Sequence, residues 1–474
     1  RGMFAIALFD VRKRQLWLIR DRIGIKPLYY SIHHGRLTFA SEIKAILQDP
    51  QQHRAVDEEA LYHYLSFLTT PAPQTLFDGI KKLEGGTWIR INEDGHIYKY
   101  RSDVPVGVFL SGGIDSSVNT ALFSDGESSP VKTFSIGYEG EYRSYTNELH
   151  YARKVAQAFG AKYHEKLLTS DDLLQFLPRM VHLQDEPIAD PVCFPLYFVS
   201  KLAIDNGIKV AQVGEGVDEL FWGYPSWKQW LYLQKLSDRF SGNGIKRMAA
   251  SLLGLNTNLR DSLRLEWLRR ASVQKPIFWS GAEVFSQLQK NRLLHPRLKR
   301  KFAHYGSWEA ISPIYQRFQK KAWEKSYLNW MSYVDLNFRL PELLLMRVDK
   351  MSMGVSLECR VPFVDHKFVE LAMSIPETVK TKHNTLKYIF KKSVRGVVSD
   401  ECINRQKQGF SVPLSEWVCG KLGDAMKKEA HEFCQETEFF DKSEVSYILS
   451  HQNKMRGWAL YNFILWMRSY IMAK

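Results

Sequence analysis

An apolar run from Val104 to Leu110 passes directly into Ser111-Gly112-Gly113-Ile114-Asp115-Ser116-Ser117 and then into a helical pattern. The order strand, glycine turn, helix constrains the chain more than any other feature. The alternation continues with a strand at Val131 to Ile136, a helix near Asn147 to Phe159 and helices near Leu173 to Leu183 and Leu196 to Asp205. A further strand follows at Lys209 to Val213. Strands alternating with helices predict a parallel sheet with helices on both faces. At the turn, Gly112 and Gly113 let backbone amides approach a ligand with no Cβ in the way. Ser111, Ser116 and Ser117 add hydroxyl donors, and the helix N-terminus adds about half a positive charge. Together they form a phosphate or pyrophosphate cradle. No Gly-Lys-Ser/Thr ending follows, which argues against the kinase-like P-loop. A carboxylate such as Asp115 is repulsive in an anion site unless a cation bridges it, and Mg²⁺ is the natural bridge. The plainer alternative is a glycine turn with an ordinary helix cap.

Three later motifs extend this picture. Val213-Gly214-Glu215-Gly216-Val217-Asp218-Glu219 follows a strand directly. In an open parallel sheet ligands bind at strand C-termini, so Glu215 and Asp218 suit metal holding and proton handling. Alone, the motif could be an acidic turn capping the next helix. Arg347-Val348-Asp349-Lys350-Met351-Ser352-Met353 and Glu358-Cys359-Arg360-Val361-Pro362-Phe363-Val364-Asp365 interleave charges with apolar residues. That pattern predicts a buried, paired polar network. Arg405-Gln406-Lys407-Gln408-Gly409-Phe410 alone reads as a basic loop.

The segment before the nucleotide loop is β-rich. Met3 to Phe9 reads as a strand buried on both sides, Gln15 to Ile19 as its hairpin partner, and Leu37 to Ala40 as another strand. Ser41 is expected to cap a helix reaching Leu47, and Asp57 one reaching Leu68. Gly86 to Ile91 and Ile97 to Tyr100 read as a last hairpin. The 474 residues allow about two to four domains. Hydrophobic residues at 45% exclude long disorder. No apolar run approaches the ~18 to 20 residues of a membrane span. Five widely spaced cysteines without a Cys-x-x-Cys pair argue for a reducing compartment. The net charge of +14 raises nucleic acid, an acidic membrane surface or simply phosphate-bearing substrates as partners. Its densest cluster, Lys290, Arg292, Arg297, Lys299, Arg300 and Lys301, reads as a solvated helix face. No motif is legible from Pro225 to Asp335, which reads as helix-rich and structural.

With the four motifs in one order, the chain resembles the asparagine synthetase family of glutamine-dependent amidotransferases. Gly2-Met3-Phe4-Ala5, Arg20-Asp21-Arg22-Ile23-Gly24-Ile25-Lys26-Pro27-Leu28-Tyr29-Tyr30 and Phe39-Ala40-Ser41-Glu42-Ile43-Lys44 resemble the second half of its glutaminase domain. The Ser-Gly-Gly-Ile-Asp-Ser-Ser loop resembles its pyrophosphatase loop, shared with tRNA-thiolating enzymes and GMP synthetase. Gly-Glu-Gly-Val-Asp-Glu and Arg-Val-Pro-Phe-Val-Asp-His narrow the likeness to this family. The resemblance implies residues 1–100 as the C-terminal part of an α+β, Ntn-type glutaminase domain. It implies 101–474 as a synthetase domain of the adenine nucleotide alpha hydrolase kind.

The resemblance also implies roles. Leu110, Ile136, Val213 and Gly214 would line the adenine and ribose pocket, and Ser111, Gly112, Gly113, Ser116 and Ser117 would hold pyrophosphate. Asp115 and Asp218 would bind Mg²⁺. Glu215 would serve formation and ammonolysis of an acyl-adenylate, and Lys407 would stabilise the transferring phosphate. The family often has Ser at Val213 and a carboxylate at Leu344, which leaves Asp349, with Arg360, as candidates for holding the acid substrate. The family's cysteine nucleophile falls upstream of Arg1, and its helical connector between the domains has no counterpart at Tyr100-Arg101, so the chain reads as a piece of a longer protein. The expected partners are ATP, ammonia or glutamine, and aspartate or a related acid, in a cytoplasmic setting that allows a homodimer. Neither membrane nor nucleic acid is expected. The rivals are a relative acting on another carboxylate, a tRNA-modifying adenylase and a catalytically silent assembly subunit.

Overall fold

Among the described residues up to Tyr100 there are seven strands: β1 (Ala5–Asp10), β2 (Gln15–Arg20), β3 (Tyr29–His33), β4 (Arg36–Ala40), β5 (Ile80–Lys82), β6 (Trp88–Ile91) and β7 (Ile97–Tyr100). They form two antiparallel sheets, ordered β1-β2-β6-β7 and β4-β3-β5. The structure is a computed structural model that describes residues 2–91, 97–100, 113–125, 130–239, 263–405, 410–451 and 454–473. The expected hairpin is present, with Ala7 opposite Leu18. The expected two-sided burial of β1 is not. It is an edge strand with Ile6, Leu8 and Phe9 exposed, because an apolar run sets strand propensity and not what covers the strand.

The arginine-aspartate motif after β2 is structural. The Asp21 carboxylate accepts from the backbone of Gly24, Ile25 and Lys26 at 2.8, 2.8 and 2.9 Å. Gly24 takes φ +78° to allow that turn. Asp57 caps the helix Glu58–Phe67 as expected, accepting from Glu59 and Ala60. Ser41 does not cap its helix, which is shorter, Ile43–Ile46. Its first amide instead donates to Asp185 of the C-terminal part at 3.0 Å. Helix Glu58–Phe67 is buried from Ala60 onward because the C-terminal part wraps it: Tyr64 Oη donates to the Ala459 carbonyl at 2.8 Å. One apolar core therefore runs from Tyr29, Leu61 and Phe77 to Phe134, Leu343 and Trp466.

The remaining strands are parallel: β8 (Lys132–Tyr138) with β9 (Lys162–Leu168), and β10 (Val210–Gln212) with β11 (Glu358–Arg360). Helix Leu149–Ala158 connects β8 to β9, and helices Ser170–Gln184 and Cys193–Asp205 connect β9 to β10. The expected strand at 104–110 lies outside the described residues. A helical layer separates β10 from β11 and has its own aromatic core of Trp222, Trp227, Phe278, Trp279, Trp330 and Phe338. It ends in a π-helical turn, Leu340–Leu345, feeding the buried helix Met346–Met353.

The basic cluster is not a uniformly solvated face. Lys290 is fully buried and donates to Ser307 Oγ at 2.6 Å, while Arg297 and Lys301 pair with Glu58. All five cysteines are free thiols. Among the described residues no helix is long and apolar enough to cross a membrane.

Candidate active site

A cleft of about 1210 Å³ opens where β8 and β10 end and helix Ile114–Asp125 begins. Gly113, Ile114, Asp115 and Ser116 form one wall, and Val213, Gly214, Glu215 and Asp218 another. Gly214 joins the walls. A Cβ there would lie 3.2 Å from the Ser116 nitrogen and 3.3 Å from the Asp115 carbonyl carbon, so glycine permits backbone to meet backbone. Phe134, Ile136, Leu149 and Ala152 give the cleft an apolar floor.

Asp115 and Asp218 converge on one cation, the Lys387 ammonium. Its Nζ lies 2.7 and 2.5 Å from the two Asp115 oxygens and 2.6 Å from Asp218 Oδ1. Burial works against the charge on Lys387, but the two carboxylates outweigh it and hold its pKa above the ordinary lysine value. Gly223 makes the pairing fit, since a Cβ there would overlap both Asp218 Oδ1 and Lys387 Cε. Two hard carboxylates meeting from two elements match a magnesium held by one or two carboxylates plus phosphate oxygens. Among the described residues no group of three or more His, Cys, Asp or Glu could hold a metal. Asp115 and Asp218 supply two of the oxygen donors that such a cation takes.

Glu215 is pinned from behind. Arg347 Nη2 donates to its Oε1 at 2.8 Å, and Nη1 donates to Asp190. Burial disfavours the guanidinium charge, yet Asp190 and Glu215 raise its pKa. One layer deeper, burial lifts the Glu219 carboxyl to about 7 against the pull of Arg339, with Asp218 and Glu215 adding to the lift. Tyr224 Oη donates to that carboxyl, and Arg339 sits 4.5 Å over the Tyr224 ring.

The sequence-derived residues divide cleanly. Gly113, Asp115, Ser116, Ile136, Val213, Gly214, Glu215 and Asp218 are brought together, and Leu344 lines the same cleft. Ser117 is fully buried and faces the Cys402 thiol instead. Asp349 turns away to pair with Lys26 at 2.6 Å, and Arg360 bonds Glu358 at 2.6 Å. Neither is among the cleft-lining residues. Leu110, Ser111, Gly112 and Lys407 lie outside the described residues, although Arg405 and Phe410, on either side of Lys407, line the cleft. Sequence reasoning missed Asp190, Lys228, Glu283, Lys387 and Lys391, all in the lining. The only available signal was the spacing of Lys387 and Lys391, one helical turn apart.

Comparison with known families defines the class, a carbon–nitrogen ligase with a glutamine amidotransferase part. The "Asparagine synthase" family model matches residues 98–468, and the "Glutamine amidotransferase domain" model matches 1–101. The chain belongs to the asparagine synthase family. It is 32% identical to asparagine synthetase [glutamine-hydrolyzing] 1 of Bacillus subtilis, over 98% of this chain and 77% of the relative. It is 29% identical to asparagine synthetase [glutamine-hydrolyzing] 3 of the same organism, over 88% and 69%. More distantly, it is 25% identical to amidase chyE of Penicillium rubens, over 90% and 72%.

Proposed function

We propose that this chain activates the β-carboxylate of aspartate with ATP and amidates it with ammonia that the complete protein draws from glutamine. A carboxylate has a poor leaving group. Attack of its oxygen on the α-phosphorus releases pyrophosphate and leaves an acyl-adenylate. Ammonia then attacks the acyl carbon, AMP departs, and one proton is lost.

The observation that carries this reading is the meeting of Asp115 and Asp218 on one cation at a helix N-terminus, beside the anchored Glu215. Phe134, Ile136 and Val213 would receive adenine, and the amides of Gly113 to Ser116 with the Ser116 hydroxyl would hold phosphates. Asp115 and Asp218 would hold Mg²⁺, which when bound supplies charge neutralisation on the departing pyrophosphate. Lys407 would meet charge on the transferring phosphate. Glu215, oriented by Arg347, would position ammonia and take its proton. RNA as substrate is favoured only by the net charge of +14; in the densest basic cluster Lys290 is buried and Arg297 and Lys301 pair with Glu58.

A second reading, the same chemistry on another carboxylic acid, is favoured by one observation: Asp349 and Arg360 point away from the cleft and Leu344 is apolar. ATP–pyrophosphate exchange across a panel of acids tests both. Aspartate-dependent, Mg²⁺-dependent exchange is expected. Exchange with another acid and none with aspartate would establish the second reading. No exchange with any acid would overturn adenylation.

A further inference from the structure

Lys387 is a built element of the cleft. Its backbone takes φ +53°, a left-handed conformation uncommon for a side chain of this size. Its amide donates to the Phe221 carbonyl at 3.0 Å, at the end of the short helix carrying Asp218. Its own carbonyl accepts from Lys391 at 2.7 Å. The stem passes over Gly223, where no Cβ could stand. The side chain borders the cleft, with its ammonium between Asp115 and Asp218. Lys391 and Lys228 line that same space and make it attractive to phosphate.

From this placement we propose that Lys387 is a stand-in cation: it holds Asp115 and Asp218 in their metal-binding positions, excludes free divalent metal, and gives them up only when nucleotide phosphates offer its ammonium another partner. The proposal rests on the nucleotide reading above. A divalent ion bonded to these carboxylates would sit at about 2.1 Å from their oxygens, where the ammonium now makes its contacts. Two cations cannot share those oxygens at such range without strong repulsion. Free metal must therefore expel the lysine into a cleft already lined by Lys228 and Lys391. A metal–nucleotide complex removes that conflict, because its phosphates take up the displaced charge. Metal and nucleotide consequently bind with positive coupling, each tightening the other by the same factor.

The test measures Mn²⁺ binding by water-proton relaxation, with and without a non-hydrolysable ATP analogue, together with thermal unfolding in EDTA and in Mg²⁺. The wild-type chain should bind Mn²⁺ alone weakly and at least about tenfold tighter with the analogue, and unfold at the same temperature in EDTA and Mg²⁺. Lys387→Met keeps the apolar stem and removes the charge. It should bind Mn²⁺ alone at least about tenfold tighter than wild type, and its unfolding temperature should fall in EDTA and recover in Mg²⁺. Unchanged Mn²⁺ affinity in this variant, with no Mg²⁺-dependent recovery, overturns the proposal. If the variant does not fold in EDTA, Lys387→Met combined with Asp115→Asn relieves the repulsion. That double variant should fold and ignore Mg²⁺, and equal failure would show that Lys387 acts by packing alone. No analogue-dependent tightening in the wild type would sink the nucleotide reading itself. Tightening in the wild type with an unaltered Lys387→Met would sink only the lysine's role.

Discussion

Two buried lysines in this chain each hold a pair of carboxylates, and they are built for opposite ends. Lys82, on β5, bonds Glu186 Oε1 at 2.6 Å and Glu342 Oε2 at 3.3 Å. It also donates to the Thr70 carbonyl at 2.9 Å and the Thr70 hydroxyl at 2.7 Å. Glu186 is itself saturated by Thr70 and by the Leu76 amide. Lys82, Glu186 and Glu342 are all buried, and the cluster ties the N-terminal sheets to the helices carrying the cleft. Among the described residues, the Lys387 ammonium is held by the two carboxylates of Asp115 and Asp218, and these border the cleft. A lysine whose partners include backbone carbonyls is a strut. A lysine whose partners face a cleft holds a place for something else.

The sharpest way to break this comparison is at the strut. Lys82→Met leaves Glu186 and Glu342 buried without their cation and should cost about 3–5 kcal/mol in urea unfolding. Mg²⁺ should restore none of it; recovery in Mg²⁺ would erase the distinction between the two lysines. On the cleft side, Lys407→Ala should slow pyrophosphate exchange by ~10² to 10³, about 3–4 kcal/mol of transition-state stabilisation. Its ATP affinity and stability should change little, and Lys407→Arg should rescue poorly because a planar fork does not replace a compact ammonium. A loss below about threefold would return Lys407 to the surface.

Between these lies Gly223→Ala. Its Cβ collides with Asp218 and Lys387, so overpacking should cost about 1–3 kcal/mol and lower Mn²⁺ affinity in the presence of nucleotide. Wild-type stability and metal binding would show that the contact yields freely. The smallest effect is expected from Glu58→Gln, which removes the partner of Arg297 and Lys301. Burial raises the Glu58 pKa, but the two cations outweigh it and set it below the ordinary 4.5. A lowered carboxylate pKa contributes stability above the unfolded value and loses it as pH falls through the folded one. The variant should therefore differ from wild type by at most about 1 kcal/mol near neutral pH, less in high salt, and not at all in strong acid.

What could be read in the sequence was what neighbours in the chain determine. The glycine turn into helix Ile114–Asp125, the Asp57 cap and the carboxylates after β10 each declare themselves within a few residues. The interleaved charges of Arg347, Asp349 and Lys350 announced a buried network, and all three are buried and paired. Partners set by the fold did not show. Asp185 caps a helix 142 residues away, which no pattern around Ser41 could reveal. Lys387 meets Asp115 across 272 residues of sequence, and nothing in Thr385-Leu386-Lys387-Tyr388 marks it as anything but a surface lysine. Because the family's carboxylate falls on Leu344 in this chain, Asp349 stood as a candidate substrate residue. Which way it turns depends on Lys26, supplied by the loop that Asp21 shapes in the other part of the chain.

The parallel pairing of β10 with β11 also fixes when the cleft can come into being. Glu215 leaves β10 just before the helical layer begins, and Arg347, 132 residues later, arrives just before β11 closes it. Closing so long a loop is slow, because its entropy must be spent before the distant contacts form. On a ribosome, Asp115 and Glu215 emerge well ahead of the arginine and lysine that neutralise them. After dilution from denaturant, helical signal should return early and pyrophosphate exchange late, since the cleft exists only once the two ends of that layer have met.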